Sequence, residues 1–366
     1  MIRIGIVGIG DISGIYLKNI TGLYKEIEVV AVCDLIKERA TKAVEEYNIP
    51  KCYDTMHELF QDEQVDIVLN LTRPYEHFGV SMAALKAGKH VYSEKPLGAT
   101  KEEGLALVEY AKAHDLRIGG APDTFLGAGI QTCRKLIDDG FIGQVVGASA
   151  YMVCRGHETW HPDPAFYYQF GGGPMMDMGP YYLTALVNLL GPIKEVSGMT
   201  KASFDERTIT SEPKNGTVVK VEVPTYITGL MQFHSGAIGT IFTTFDVHTA
   251  EVPRIEIYGS TGTLSVPDPN IFAGPVRLYK PATGEFKEIP LLFDYVDNSR
   301  ALGLADMAKA LETDRLHRAN SNMTMHVLEV MTAFEESAQT KRHIPITTTF
   351  ERTPPMQPST LKGVID

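Results

Sequence analysis

Residues 2–34, with the sequence IRIGIVGIGDISGIYLKNITGLYKEIEVVAVCD, decide how the first part of the chain folds. Apolar and largely β-branched residues at 2–7 predict a buried strand, and the turn Gly8-Ile9-Gly10 follows it directly. A helical pattern covers residues 13–22, and a second apolar run at 27–32 leads to an aspartate. The stretch therefore predicts a strand, a glycine turn, a helix and a second strand.

This order of elements is typical of a site that binds a dinucleotide. Gly8 permits a tight turn at the strand end, and Gly10 lets the backbone approach a pyrophosphate closely. The next helix would hold that anion at its N-terminus, so we include Asp11 and Ile12 of the connecting loop in the site. Asp34, 24 residues after Gly10, would accept hydrogen bonds from a ribose and repel a 2′-phosphate. We therefore predict NAD as the cofactor, with NADP less favoured; the alternative is a glycine turn that binds nothing.

Length and composition limit the classes of protein to be considered. A chain of 366 residues with 44% hydrophobic residues predicts two domains with full cores. The net charge of −11 argues against nucleic acids and anionic membranes as partners, and no apolar run is long enough to span a bilayer. The first strand begins at residue 2, which leaves no room for a signal peptide. The cysteines show no paired spacing, which predicts reduced thiols in a cytoplasmic protein; they are Cys33, Cys52, Cys133 and Cys154.

Strands alternate with helices up to about residue 120. Further apolar runs at 65–71, 90–93 and 117–119 are separated by helical patterns and short loops. This alternation predicts an α/β domain at 1–121 with a doubly wound parallel sheet. Ligands of such sheets bind beyond the carboxyl ends of the strands. We therefore expect the residues at four strand ends to converge on one crevice; they are Gly8, Asp34, Thr72 and Lys95.

The pattern changes beyond residue 121. Several strand-like runs follow one another with little helix between them, which predicts an antiparallel sheet in an α+β domain at 122–366. The predicted strands cover residues 145–153, 195–204, 226–233, 237–245 and 254–258, and the predicted helices cover 126–139, 300–311 and 323–339.

Two short stretches carry side chains suited to proton transfer. Lys95, in Glu94-Lys95-Pro96 at a strand end, could carry a proton or contact a reacting hydroxyl once burial lowers its pKa; the alternative is a solvated lysine. Asp177 and Tyr181 are four residues apart in a helical pattern that runs to residue 190, so they share a face. Because Pro180 is tolerated in a first helical turn, Asp177 could be a plain N-cap and Tyr181 could be a core residue.

The stretch His157-Glu158-Thr159-Trp160-His161 matches a zinc-peptidase pattern that works only on a helix. Gly156 precedes it, and Pro162 and Pro164 follow it, so we expect no helix and no metal site here. His157, Trp160 and His161 suit the pocket of a sugar, which is apolar on one face and hydroxylated at its edge. The alternative is a surface loop with a packed tryptophan. Asp123 is a further candidate for contact with the substrate.

Three motifs together resemble the glucose–fructose oxidoreductase, inositol dehydrogenase and MocA (Gfo/Idh/MocA) family: Gly8-Ile9-Gly10, Thr72-Arg73-Pro74 with His77, and Glu94-Lys95-Pro96. The resemblance implies an N-terminal Rossmann domain whose cofactor site includes Thr72, Pro74, His77 and Glu94. It further implies that Lys95 is catalytic, that the bond before Pro96 is often cis, and that Glu94 lies by the nicotinamide ribose. A large open sheet in the second domain would form a homo-oligomer, a dimer or a tetramer.

The family usually carries Asp-x-Gly-x-His where this chain has Asp177, Gly179 and Tyr181. A tyrosine in place of the histidine needs a nearby cation such as Lys95 to lower its pKa, or it orients the hydroxyl while the lysine moves the proton. We therefore expect an NAD-dependent oxidoreductase that acts on a secondary hydroxyl of a sugar, glycoside or cyclitol. Two alternatives stay open: cleavage of a glycoside by transient oxidation and elimination, and a dinucleotide-sensing regulator without catalysis.

Overall fold

A computed structural model describes residues 1–358 and 362–366. The first part of the chain alternates strands and helices, as the sequence predicts. Its strands are β1 (Ile2–Val7), β2 (Ile27–Cys33), β3 (Lys51–Tyr53), β4 (Ile67–Asn70), β5 (His90–Ser93) and β6 (Ile118–Gly120). Its helices are α1 (Ser13–Gly22), α2 (Lys37–Tyr47), α3 (Met56–Gln61), α4 (His77–Lys86) and α5 (Lys101–Ala113).

Strands β1 to β6 form one parallel sheet in the order β3-β2-β1-β4-β5-β6. Every residue of β4 is buried, as expected for a strand that helices cover on both faces. The strand order reverses between β1 and β4, so a crevice opens beyond the carboxyl ends of these two strands. This architecture confirms the predicted doubly wound Rossmann sheet.

The second part of the chain builds one large sheet, and helices cover one of its faces. Helices α6 (Ala128–Asp138), α7 (Pro174–Leu190) and α9 (Ser321–Thr340) pack against it, whereas α8 (Leu302–Thr313) packs on β6. The strands are β7 (Val145–Val153), β8 (Ile193–Lys201), β9 (Glu206–Thr208), β10 (Val218–Lys220), β11 (Tyr226–Phe233), β12 (Ile238–Thr244), β13 (Ile255–Gly259), β14 (Gly262–Val266), β15 (Val276–Tyr279), β16 (Phe286–Ile289) and β17 (Ile344–Pro345).

In the described residues, nine strands join in the order β16-β15-β14-β13-β7-β12-β11-β8-β17, and β9 pairs with β10 separately. The large sheet is mixed rather than wholly antiparallel, because β7 and β12 run parallel. After β7 the chain passes through α7 to β8, three positions away in the sheet, and it returns beside β7 only with β12. The sequence pattern did not indicate where β7 inserts. The other pairings are antiparallel, so the predicted α+β architecture is confirmed with this one difference.

The second face of the large sheet is not covered within the described residues. Met199, Leu230 and Ile238 project from it with exposed fractions of 76%, 50% and 58%. Strand pairing places Met199 of β8 and Leu230 of β11 on this same face. The predicted open sheet is therefore present. Among the described residues, no helix combines the length and apolar character needed to cross a membrane.

The chain that follows α9 is held by two buried side chains of that helix. The Glu329 carboxylate accepts hydrogen bonds from the backbone amides of Thr347 and Thr348, at 3.0 and 2.7 Å. His326 Nε2 accepts a hydrogen bond from the amide of Ile193, and Nδ1 lies 3.0 Å from the carbonyl oxygen of Thr348. These contacts require a neutral imidazole with its proton on Nδ1. Burial lowers the pKa of His326 to about 4, although the Thr348 carbonyl acts in the opposite direction.

We expect His326 to make the protein sensitive to acid. The pKa of His326 is lower in the folded protein than the ordinary value of about 6.5. The contribution of the neutral imidazole to stability is therefore complete above about pH 6.5, and it is lost as the pH falls to about 4. The free energy of unfolding should therefore fall by about 3 kcal/mol more in the wild type than in His326→Gln between pH 7 and pH 4. Urea denaturation at the two pH values measures this, with exposed His57→Gln as the control. Equal losses in wild type and His326→Gln would contradict the prediction.

Candidate active site

The turn after β1 has the shape that a dinucleotide site requires. Gly8 has a φ of +97°, and a Cβ atom there would lie 2.8 Å from the carbonyl group of Leu71. A Cβ atom at Gly10 would meet nothing within 4 Å, so the backbone faces open space at that point. The hydroxyl of Ser13, the first residue of α1, donates a hydrogen bond to the Gly10 carbonyl oxygen at 2.7 Å. Asp11 and Ile12 complete the turn, and this backbone fits a pyrophosphate.

Asp34 follows the end of β2 and closes the other side of the turn. Its Oδ2 accepts a hydrogen bond from the backbone amide of Ile9 at 2.6 Å, and its Oδ1 accepts one from the amide of Ile36 at 2.7 Å. Both bonds fix the carboxylate beside the glycine turn. This is the place at which an acidic side chain selects a ribose diol over a 2′-phosphate.

Removing the charge of Asp34 is expected to weaken the preference for NAD. In Asp34→Asn one oxygen still accepts the amide hydrogen bond of Ile9, but a 2′-phosphate is no longer repelled. The ratio of NADP to NAD dissociation constants should fall by about tenfold, which corresponds to 1.4 kcal/mol. Titration calorimetry with both dinucleotides measures the ratio, and Asp54→Asn, at an exposed aspartate, is the control. An unchanged ratio in Asp34→Asn would refute the role of the charge.

Residues after β4 and β5 approach each other through a buried histidine. The imidazole nitrogens of His77 lie 2.7 Å from the carbonyl oxygen of Pro96 and 3.0 Å from that of Thr72. Burial lowers the pKa of His77, against the effect of these two carbonyl groups. His77 therefore joins the two loops from inside, and Pro74 begins the short 3-10 helix Pro74–Glu76 beside it. The Lys95–Pro96 peptide bond is cis, as the resemblance implies.

Lys95 reaches from the first sheet to helix α7. Its Nζ donates hydrogen bonds to Oδ1 of Asp177 at 2.8 Å and to the Asp177 carbonyl oxygen at 2.6 Å, and it lies 5.2 Å from the ring centre of Tyr181. Burial acts to lower the pKa of Lys95, but the charges of Asp177, Tyr181 and Glu94 and the hydrogen bond to Asp177 together outweigh it, so the pKa lies above its ordinary value. The expectation that the pKa of Lys95 lies below its ordinary value is therefore wrong. Glu94 is buried beside it and accepts a hydrogen bond from the Tyr16 hydroxyl at 2.7 Å.

The start of helix α7 differs from the sequence prediction. Gly173, with a φ of +89°, precedes the helix, and Pro174 is its first residue, so Pro180 lies inside the helix rather than in its first turn. Asp177 is therefore not the N-cap. Its Oδ2 lies 2.9 Å from His157 Nε2, while its Oδ1 accepts from Lys95. Burial acts to raise the pKa of Asp177, but Lys95 and the hydrogen bond with His157 hold it below its usual range.

Tyr181 lies one turn beyond Asp177 and is buried. Its hydroxyl oxygen accepts a long hydrogen bond of 3.4 Å from Nη2 of Arg300, a residue that the sequence did not indicate. Burial raises the pKa of Tyr181, and the nearby charges of Lys95 and Arg300 only partly oppose this effect. The phenol of Tyr181 is therefore protonated near neutral pH, and the cation of Lys95 does not bring its pKa below the ordinary value.

The stretch from His157 to His161 is a loop, and the side chains of His157 and Glu158 face in different directions. Gly156 has a φ of +95°, and a Cβ atom there would collide with Glu158 and Tyr168. The Glu158 carboxylate is buried against Arg207, whose Nε donates to it at 2.7 Å, whereas His157 faces Asp177. Residues 1–358 and 362–366 contain no group of three potential metal ligands. The loop therefore holds its histidine and glutamate apart.

The other predicted substrate residues occupy different surroundings. The Trp160 ring is 61% exposed and meets the His157 ring edge-on at 5.3 Å, and His161 Nδ1 accepts a hydrogen bond from the amide of Asp163. Asp123 is buried and accepts a hydrogen bond from the amide of Gly303 at 3.0 Å. Burial raises the pKa of Asp123 to about 6. The structure thus groups Trp160 and His161 with His157, whereas Asp123 caps the start of α8.

An ion pair that the sequence did not indicate joins the two sides of the crevice. Arg73 follows β4, and its Nη2 lies 3.0 Å from Oδ2 of Asp163 in the histidine-bearing loop. The Arg73 guanidinium also lies 5.8 Å from the ring centre of Phe166. The loop that carries His157 is therefore tied to the nucleotide-binding side of the crevice as well as to α7.

Named dehydrogenases resemble the chain over much of its length. It is 25% identical over 276 residues to myo-inositol 2-dehydrogenase of Thermotoga maritima, an alignment that covers 75% of this chain and 76% of that enzyme. It is 26% identical over 262 residues to D-glucoside 3-dehydrogenase of Escherichia coli, covering 68% and 72%. A shorter match to inositol 2-dehydrogenase of Salmonella typhimurium is 34% identical but spans only 39% of this chain and 43% of that enzyme.

A solved structure and two family models extend these matches. Levoglucosan dehydrogenase in complex with NADH and levoglucosan superposes with a TM-score of 0.80 at 18% identity, over 95% of this chain and 99% of that chain, which shows a common fold. A model described as an oxidoreductase family with an NAD-binding Rossmann fold matches residues 2–120, and a GFO/IDH/MocA C-terminal domain model matches residues 130–265. With both domain models matched in sequence order, the chain belongs to the GFO/IDH/MocA family of NAD-binding oxidoreductases.

Proposed function

We propose that the protein transfers hydride between NAD and a secondary hydroxyl group of a sugar, glycoside or cyclitol. We base this on one observation above all: the Lys95 amine, at the end of a nucleotide-binding strand, is bonded to Asp177 and lies 5.2 Å from the ring centre of Tyr181. NAD, when bound, supplies the hydride acceptor. The inositol and glucoside dehydrogenases among the relatives support this substrate class.

In this proposal Lys95 and Tyr181 are the proton-transfer pair that contacts the reacting hydroxyl, and Asp177 orients Lys95. The cation of Lys95 favours the negative charge that develops on the hydroxyl oxygen as its proton leaves. His157, Trp160 and His161 provide aromatic and polar contacts for a ring with apolar faces and hydroxylated edges. Asp123 stays a prediction as a substrate contact.

The cofactor site in the proposal contains the residues predicted for it. The turn and β2 supply Gly8, Gly10, Asp11, Ile12 and Asp34, whose surroundings fit a dinucleotide. The loops after β4 and β5 supply Thr72, Pro74, His77, Glu94 and Lys95. His77 acts there by positioning the Thr72 and Pro96 carbonyl groups.

The roles of the two parts of the chain are also a proposal. Residues 1–121 would bind NAD, and residues 122–366 would bind the substrate and form a homo-oligomer, a dimer or a tetramer. The apolar side chains on the open face of the large sheet support the second role. A cytoplasmic location stays a prediction.

A screen of neutral sugars, glycosides and cyclitols with NAD, followed by the absorbance of NADH, tests the function. We expect NADH to accumulate with at least one free sugar or cyclitol and to accumulate more slowly with NADP. Release of an aglycone with no net NADH would favour the elimination mechanism instead. Tight NAD binding with no reaction of any tested compound would favour a dinucleotide-sensing regulator.

A further inference from the structure

In the proposed function, on which this inference rests, the proton of the substrate hydroxyl needs a final acceptor. In the free protein Asp177 keeps the Lys95 amine charged, because their atoms are 2.8 Å apart and the two side chains are only 16% and 12% exposed. Burial keeps the phenol of Tyr181 protonated. Neither side chain is therefore a ready base near neutral pH, and we look to a third group at the site as the acceptor of the proton.

His157 lies on the opposite side of the same carboxylate. Its Nε2 is 2.9 Å from Asp177 Oδ2, whereas Lys95 Nζ contacts Oδ1. A charged carboxylate accepts hydrogen bonds, so Nε2 carries a proton, and in the neutral form of the ring the lone pair is therefore on Nδ1. Nδ1 makes no hydrogen bond to any group in the described part of the chain. The side chain keeps 12% of its surface exposed, so the ring is not closed off from the crevice.

The His157 imidazole is also held in place by its neighbours. Its ring centre lies 4.2 Å from that of Tyr167, 4.8 Å from that of Phe245 and 5.3 Å from that of Trp160. Three elements thus fix its orientation: the loop itself, the short 3-10 helix Ala165–Tyr168 and the end of β12. The titratable side chains that face or neighbour the ring are Asp177 on α7, Tyr167 on the 3-10 helix and His161 on the loop.

We propose that His157 is the general base of the reaction and that Asp177 orients it. The O–H bond of the substrate breaks and its proton passes to Nδ1, while the C–H bond gives its hydride to the nicotinamide and a C=O bond forms. The alcohol is oxidised, NAD is reduced, and the imidazolium carries the released proton. Asp177 stabilises that imidazolium through Nε2, as in other Asp–His pairs. This inference changes one part of the proposed function: Lys95 and Tyr181 donate hydrogen bonds to the reacting oxygen, and His157 rather than either of them takes the proton.

The arrangement replaces a residue that α7 lacks. Tyr181 occupies the helix position at which a histidine would lie one turn after Asp177, and its hydroxyl contacts Arg300 rather than Asp177. His157 reaches Asp177 from a different element, 20 residues earlier in the chain. The acid–base pair is therefore assembled between a loop and a helix instead of within one helix.

The pH dependence of kcat/KM separates His157 from its rivals. We expect the wild type to lose activity on the acid side, because a proton on Nδ1 of His157 removes the base. His157→Gln can keep a hydrogen bond to Asp177 but has no base, so its kcat/KM should fall by about 10²-fold and the acid-side loss should vanish. Tyr181→Phe should keep the acid-side loss, and His57→Gln, at an exposed position on α3, is the matched control with a wild-type profile.

Nitrogen NMR of the protein labelled with ¹⁵N-histidine gives a second measurement that needs no turnover. The signal missing in His157→Gln identifies the residue, and we expect the neutral ring to carry its proton on Nε2. In Asp177→Asn that preference should weaken. A proton on Nδ1 in the wild type would overturn the assignment, because Nδ1 would then have no lone pair for the substrate.

The outcomes distinguish this inference from the function on which it rests. NADH formation by the wild type together with an unchanged pH profile in His157→Gln would overturn the role of His157 alone. Loss of the acid-side decline in Tyr181→Phe instead would also overturn it and assign the base to Tyr181. Absence of NADH formation in the wild type with every compound would remove the proposed function and the general base with it.

Discussion

Lys95→Ala is expected to lower kcat by about 10²- to 10⁴-fold, because the cation that favours the developing charge on the hydroxyl oxygen is lost. The affinity for NAD should change by no more than about twofold. In the proposed site the glycine turn and Asp34 hold most of the dinucleotide, whereas the Lys95 amine is directed at Asp177. Stopped-flow measurement of NADH formation at saturating substrate and calorimetry with NAD give the two quantities.

Lys112→Ala, at an exposed position in the last turn of α5, is the matched control and should retain wild-type kcat. The loss of Lys95 leaves Asp177 with His157 as its remaining charged or polar partner among the described side chains, so the melting temperature of Lys95→Ala has to be compared with that of the control. Near-normal kcat in a folded Lys95→Ala protein would remove Lys95 from the mechanism. A large loss of NAD affinity would instead mean that Lys95 belongs chiefly to the cofactor site.

Arg207→Met is expected to reduce the free energy of unfolding by about 3–5 kcal/mol, because it removes the guanidinium that is hydrogen-bonded to two buried carboxylates. Arg155, 3.8 Å from Glu158, is too distant to replace those hydrogen bonds. Arg207 Nε donates to Glu158 at 2.7 Å and Nη1 donates to Asp246 at 2.9 Å. Its Nη2 also donates to the carbonyl oxygens of Arg155 and Phe245. Since ordinary domains unfold with about 5–15 kcal/mol, this one substitution would remove a large share of the stability.

Urea denaturation monitored by circular dichroism measures this loss. Arg277→Met, at an exposed position on β15, is the matched control and should stay within about 0.5 kcal/mol of the wild type. Because Glu158 directly follows His157, we also expect Arg207→Met to loosen the contact between His157 and Asp177. A loss smaller than about 1 kcal/mol would show that the two carboxylates find other partners or water, and would contradict the interpretation of this cluster as a buried ion network.

The cofactor half of the molecule could be predicted because its determinants are close together in the sequence. The turn at Gly8 and Gly10 and the acidic residue at the end of β2 lie within one strand–helix–strand unit, where local geometry and hydrophobic pattern agree. The position of Lys95 follows from the same parallel-sheet rule. The observed sheet order then brings these strand ends to one edge, as that rule requires.

The substrate half could be predicted only in part, because its contacts join distant residues. The Tyr181–Arg300 pair is separated by 119 positions and the Arg73–Asp163 pair by 90, and no local pattern marks either. The interpretation of Asp177 as a possible N-cap failed because Pro180 suggested a later helix start. Proline at this position is tolerated inside α7, and the true first turn contains Pro174.

The insertion of β7 between β12 and β13 affects how the protein is made. Both neighbours come later in the chain, so β7 leaves the ribosome with two unpaired edges until residues 238–259 have been synthesised. At about 5–20 residues per second this interval lasts several seconds. We therefore expect newly made chains to depend on chaperones that shield extended apolar segments. Slower translation at lower temperature lengthens the interval in which β7 is unpaired, so we expect it to help folding only when such chaperones are abundant.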